Sequence, residues 1–121
     1  MPQFVRPFAA LRPTAQSAAA VVAPPYDVVS TEEARALAAG RPQSFLHISR
    51  PEIDLPGGSS PYSDEAYAQG ARSLERLIAE GVLIREQKPT FYIYRMVMAG
   101  RTQTGVALVG SVRAYEQQRI R

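Results

Sequence analysis

Two short stretches hold the residue types that could do chemistry. Tyr26 and Asp27 close the run PPYD, and His47, Arg50 and Glu52 fall within HISRPE, residues 47–52. A carboxylate held in one place can act as a general base or serve a phosphoryl-transfer site. Pro24 restricts Ala23 and Pro25 restricts Pro24, so the backbone before Asp27 is stiff before folding begins, and the Pro-Pro bond has access to the cis form. The same residues also make a turn with no chemistry, in which Asp27 sits near the start of the next helix and Tyr26 packs over the core. Arg50 could clamp a phosphate or carboxylate through two parallel N–H donors, with Glu52 pairing with it or orienting a ligand. The plain alternative is a surface Arg–Glu pair beside a histidine packed under a helix. Residue types alone leave both pairs of readings open.

Other stretches point less sharply. PGGSSPYSD, 56–64, is glycine-rich and precedes a helix, the setting in which backbone amides bind anions. It lacks both GxxxxGK[ST] and GxGxxG, and reads as a surface loop. Tyr92, Tyr94, Met96 and Met98 share one face of a strand and read as core. The chain has no cysteine, which excludes disulfides, a thiolate nucleophile and cysteine-held zinc or iron–sulfur groups. With a single histidine and no EF-hand spacing, no metal site is predicted.

The net charge of +3 and a pI near 9.6 would suit an anionic partner. The thirteen arginines and one lysine are scattered, however, and only RAYEQQRIR at the end is locally basic, with Arg113, Arg119 and Arg121 against Glu116. One ring there, Tyr115, falls short of a nucleic-acid motif, so nucleic acid is disfavoured as a partner.

The elements that must position these residues follow from pattern. With 121 residues, 45% of them hydrophobic, the chain is expected to form one domain over 1–121 that buries roughly two thirds of its unfolded surface. FVRPFAALRP reads as an extended edge segment, because proline survives in sheets only at edges. Its prolines also argue against the amphipathic helix of a transit peptide, and no apolar run approaches the roughly 18 residues of a membrane span, so a cytoplasmic protein is expected. Ser30-Thr31-Glu32-Glu33 spells a capping box that opens a helix ending at Gly40. SFLHIS, 44–49, alternates and predicts a strand, with Leu46 and Ile48 on one face and Phe45, His47 and Ser49 on the other. A longer helix is predicted over about 63–80, its core stripe formed by Tyr67, Gly70, Ala71, Leu74, Leu77 and Ile78. FYIYRMVM, 91–98, and TGVALVGSV, 104–112, joined through AGRTQ, predict a β-hairpin. The expected fold is α+β, a mixed sheet with a C-terminal hairpin and two main helices packed on it.

FAALRP, APPYDVVS followed by EAR, PQSFLHISRPE, EGVL, PTFYIYR and GVALVGSVRAYEQQRIR, in that order, resemble the opening of the large bacterial family catalogued as domain of unknown function one thousand and fifteen. The resemblance runs from about residue 4 to the end, and the PPYDV turn is its most specific part. Members continue past a YEQQRIR-like segment into a histidine–glutamate–threonine stretch, so the chain is expected to be the N-terminal piece of a longer protein. The layout also resembles free-serine kinases of the ParB and sulfiredoxin-like fold. That resemblance implies ATP- or ADP-dependent transfer of phosphate, with magnesium, to a small hydroxyl substrate such as L-serine. It implies a pocket lined in part by Tyr26, Asp27, His47, Arg50 and Glu52, with the acid–base glutamate beyond Arg121 and this piece inactive. The alternatives are a ParB-like nucleotide or nucleic-acid reader, or a structural domain that dimerises through an exposed sheet edge at residues 104–112.

Overall fold

The computed structural model describes residues 4–117. In chain order the elements are β1 (Val5–Arg6), β2 (Leu11–Pro13), α1 (Ala18–Val21), α2 (Thr31–Ala38), α3 (Leu46–Ser49), α4 (Asp64–Ala79), β3 (Leu83–Arg85), β4 (Tyr92–Met98), β5 (Arg101–Ala107), β6 (Val109–Gly110) and α5 (Val112–Glu116), with 3₁₀ turns at Tyr26–Val28 and Pro51–Asp54. The α+β class is as expected. The strands pair two by two, β1 with β6, β2 with β3 and β4 with β5, where a single mixed sheet was expected. Arg119 and Arg121 of the basic tail lie outside the described residues.

Residues 12–84 form one compact unit. Its helices begin and end where local chemistry dictates. At α2 the Glu33 amide donates to Ser30 Oγ at 3.1 Å while the Ser30 amide donates to Glu33 Oε1 at 3.4 Å, the predicted capping box. At α4 the Ala66 amide donates to Ser63 Oγ, and Asp64 and Glu65 face the positive helix end. Its other end is a Schellman motif: Gly81 at φ +73° lets the Val82 amide reach the Leu77 carbonyl and the Gly81 amide reach that of Ile78.

Two expectations are corrected here. SFLHIS is not a strand; it carries α3, with the Ser49 amide donating to the Phe45 carbonyl and the Arg50 amide to that of Leu46. Six residues of alternation are too few to separate the two periods, and buried Ser44 settles the matter by accepting from the Leu46 amide. His47 and Ser49 therefore share no strand face. The buried stripe of α4 is also rotated from the predicted one: Ala66, Ser73 and Leu77 face inward, while Tyr67, Ala71 and Ile78 are exposed. The reason is close approach. A Cβ at Gly70 would stand 3.3 Å from the Ile48 carbonyl oxygen and 3.4 Å from Pro51 Cγ, so the small-residue stripe must face α3 and the Pro51–Asp54 turn. A second core, Ala34, Ala38, Leu46 and Ile53, joins α2 to the same two elements.

The described residues on either side of 12–84 form the other unit. FVRPFAALRP is extended as expected: β1 pairs antiparallel with β6, and Phe8 bridges Thr90. The Phe8 and Tyr92 rings meet at a 60° tilt with centroids 5.1 Å apart, and the Tyr92 hydroxyl donates to the Phe8 carbonyl while accepting from the Ala10 amide. The hairpin is present, but its turn is Ala99-Gly100 alone, because Arg101, Thr102 and Gln103 already pair with Met98, Val97 and Met96. The second strand ends at Ala107; β6 pairs elsewhere and residues 112–116 are helical rather than extended. Tyr94, Met96 and Met98, read as core, are exposed. Among the described residues, no helix is long and apolar enough to cross a membrane.

The two-residue turn carries a strained position. Ala99 has φ +50° and Gly100 φ +77°, the signs of a type I′ turn, which favours asparagine first. A side chain in the left-handed region costs about 1 kcal/mol, which asparagine largely avoids. Ala99→Asn is therefore expected to slow amide exchange in β4 and β5 about five-fold. Unchanged exchange would show that the turn does not limit opening of the hairpin.

Candidate functional site

The site begins with one side chain. Arg50 follows α3 directly, and Pro51 behind it starts the 3₁₀ turn, so the backbone bends and directs the guanidinium back toward the PPYD turn. Its Nη1 donates to the carbonyls of Tyr26 at 2.8 Å and Val29 at 2.6 Å, Nη2 to Thr31 Oγ1 at 2.8 Å, and Nε to Glu52 Oε1 at 2.6 Å. The Thr31 hydroxyl in turn donates a hydrogen bond to the same Glu52 oxygen at 3.1 Å. One cation thus fastens the PPYD turn, the first residue of α2 and the turn after α3.

Glu52 is the buried half of that pair, 1% exposed. Its Oε1 accepts twice, but Oε2 is buried without a hydrogen-bond partner. Buried polar atoms nearly always have partners, and one without a partner costs about 1–3 kcal/mol, more when charged. Such an orphan calls for an explanation.

Beside this network lies a cleft of about 710 Å³, within the roughly 300–1,000 Å³ range of small-molecule sites. Arg50 and Glu52 belong to its lining, with Tyr26, Tyr62, Tyr67 and Leu74. All three tyrosines are well exposed, Tyr62 most of all at 80%. The rotated stripe of α4 accounts for part of this wall: with Ala66, Gly70 and Ser73 turned to the core, Tyr67, Ala71 and Leu74 are left to line the cleft. Asp27 joins the rim from the Tyr26–Val28 turn, exposed, and its carboxylate has no hydrogen bond or ion pair among the described residues. The peptide bond between Pro24 and Pro25 is trans.

Four of the five residues singled out from sequence, Tyr26, Asp27, Arg50 and Glu52, come together at this cleft. His47 does not. Its Nδ1 lies 2.7 Å from Asp54 Oδ2 and its Nε2 3.0 Å from the Arg41 carbonyl, so both ring nitrogens are engaged in tying the loop after α2 to the Pro51–Asp54 turn. In the PGGSSPYSD loop, Ser63 itself takes up the Ala66 amide at the start of α4. Sequence reasoning missed Tyr62 and Tyr67 as lining groups. The signal for Tyr67 was its bulk beside Ala66, Gly70 and Ser73, which marks it as off the close-packed face.

The arrangement binds more readily than it reacts. Arg50's donors are turned to protein acceptors, and among the described residues no group of three or more His, Asp or Glu could hold a metal ion. What lines the cleft is aromatic and aliphatic surface, with the carboxylates of Asp27 and Glu52 among it.

The family model described as Protein of unknown function (DUF1015) matches residues 5–121. No curated protein and no solved structure matches the chain.

Proposed function

Because the chain belongs to the DUF1015 family, whose description assigns no activity, we propose from the site itself that residues 12–84 are a small-molecule-binding unit whose ligand lies in the tyrosine-lined cleft. The observation that carries this is the exposure of three aromatic rings around one ligand-sized concavity. Exposed tyrosine is unremarkable when scattered, but rings that converge on a cleft give large contact area at little cost in side-chain entropy.

The finer reading implied by the family resemblance is that the unit is the binding part of a small-molecule kinase using ATP or ADP with magnesium, acting on L-serine or a similar hydroxyl compound. The cleft supports its base-stacking half, since nucleobases stack on tyrosine. The phosphate half needs cations. Arg50 directs four donors to protein acceptors, so a bidentate phosphate clamp would require it to leave the network that holds the PPYD turn.

Calorimetric titration of the 121-residue chain with ATP, ADP, adenosine and L-serine tests both levels. Saturable binding of adenosine and ATP, weakened about ten-fold in Tyr62→Ala, is the expected result for a stacked base. Binding of L-serine alone would place a hydroxyl substrate rather than a nucleotide in the cleft. Heat signals unaffected by Tyr62→Ala would remove the cleft from the reading.

A second reading rests on a separate observation. Ile93, Val97, Met98 and Val106 are exposed on the β4–β5 hairpin, more apolar surface than a two-stranded ribbon usually leaves to water. We infer from this a structural role for the hairpin in pairing with a second copy. Sedimentation that shows a monomer at high concentration would dispose of it.

A further inference from the structure

We propose that the cleft selects organic cations, molecules carrying a protonated amine or amidinium on a planar or apolar body. The inference rests on the binding reading above and narrows it to a class of ligand.

Three charged residues line the cleft: Asp27, Arg50 and Glu52. The positive one is answered internally. Arg50 lies 2.6 Å from Glu52 Oε1 and donates as well to two backbone carbonyls and Thr31, so little of its charge is offered outward. The two carboxylates each retain accepting capacity. Asp27 has no partner at all among the described residues, and Glu52 Oε2 is buried without one. Ser49 points the same way: its hydroxyl donates to the Phe45 carbonyl, leaving its lone pairs. The aromatic wall adds attraction of the same sign, because the face of a tyrosine ring is negative and draws cations within about 6 Å.

These features combine in one direction only. A ligand positive charge would be balanced by Asp27 at the rim, with the Glu52 carboxylate in the lining adding attraction of the same sign. An anionic ligand would meet Asp27 with only neutral tyrosine hydroxyls as donors, because the Arg50 charge is paired with Glu52. A neutral aromatic would gain the stacking and leave both acceptors unanswered. Asp27 is thus the charge that sets preference at the entrance.

The test uses three probes of matched size: 2-phenylethylammonium, 2-phenylethanol and phenylacetate. Each is titrated into the isotope-labelled 121-residue chain, with amide shifts read at Tyr26, Asp27, Ser49 and Tyr67. The expected order is cation, then alcohol, then carboxylate, with the cation bound about ten-fold tighter than the alcohol. In Asp27→Asn, an exposed change that touches no contact of the fold, this advantage is expected to shrink to about two-fold and to lose most of its salt dependence. Equal binding of all three probes in the cleft would overturn the cation preference and leave the binding reading standing. Tighter binding of phenylacetate, or a cation preference untouched in both Asp27→Asn and Glu52→Gln, would also overturn it. If no probe shifts a cleft amide, both readings fall.

Discussion

Replacing Arg50 by alanine is expected to cost the fold about 3–5 kcal/mol, the range for breaking a buried ion pair from one side. The magnitude follows from what is left behind. Glu52 remains 1% exposed, with Thr31 as its single donor on one oxygen and none on the other. The carbonyls of Tyr26 and Val29 lose the donor they share, and the PPYD turn loses its tie to α3. Urea denaturation at equal m-values would read the loss directly. A cost below 1 kcal/mol, the level of a surface ion pair, would show that the network does not hold the unit together. Arg50→Lys separates charge from geometry: an ammonium keeps the charge but cannot span acceptors on three segments as the guanidinium fork does, so most of the loss is expected to remain. The same reasoning rules out Arg50→Ala as a probe of ligand binding, since its effect on affinity would be mixed with its effect on the fold.

What could be read from the sequence divides by range. Signals that act within one turn were legible: the Ser30–Glu33 capping box, the Gly81 end of α4, and the hairpin's runs of β-forming residues. Signals that depend on distant neighbours were not. Arg50 meets Tyr26, Val29 and Thr31 across 24, 21 and 19 residues, and no local pattern records that meeting. PPYD and HISRPE could each be marked as chemically equipped, but not that the first is held by the second. By sequence His47 groups with the pocket candidates, yet both its nitrogens are taken up by Asp54 and the Arg41 carbonyl. On α4 the apolar arc is broader than the face the core can use. The choice of face was made by the close approach of Ile48 and Pro51 to Gly70, a packing fact invisible in periodicity.

Leu46→Ala is expected to cost about 3–4 kcal/mol, the middle of the range for leucine truncation in a core. Leu46, 1% exposed, is the largest buried side chain of its cluster, and two of its buried companions, Ala34 and Ala38, are alanines on α2. Alanine has no rotamer through which to move into the space, so on that side the cavity could close only by shifting α2 itself. Leu46→Met, which nearly preserves volume, should cost under about 1.5 kcal/mol and serves as the control. The larger consequence is local. A four-residue helix has no stability of its own and persists because tertiary contacts hold it. Leu46 is the anchor of α3, and Arg50 follows one residue after that helix ends. Loosening α3 should therefore release the guanidinium from its acceptors, and amides of the Tyr26–Val28 turn should exchange faster in Leu46→Ala than in Leu46→Met at matched global stability. Equal exchange in the two variants would mean that the turn is held by its prolines alone. A core leucine with no atom in the cleft would otherwise be setting the position of Tyr26 and Asp27 at its rim.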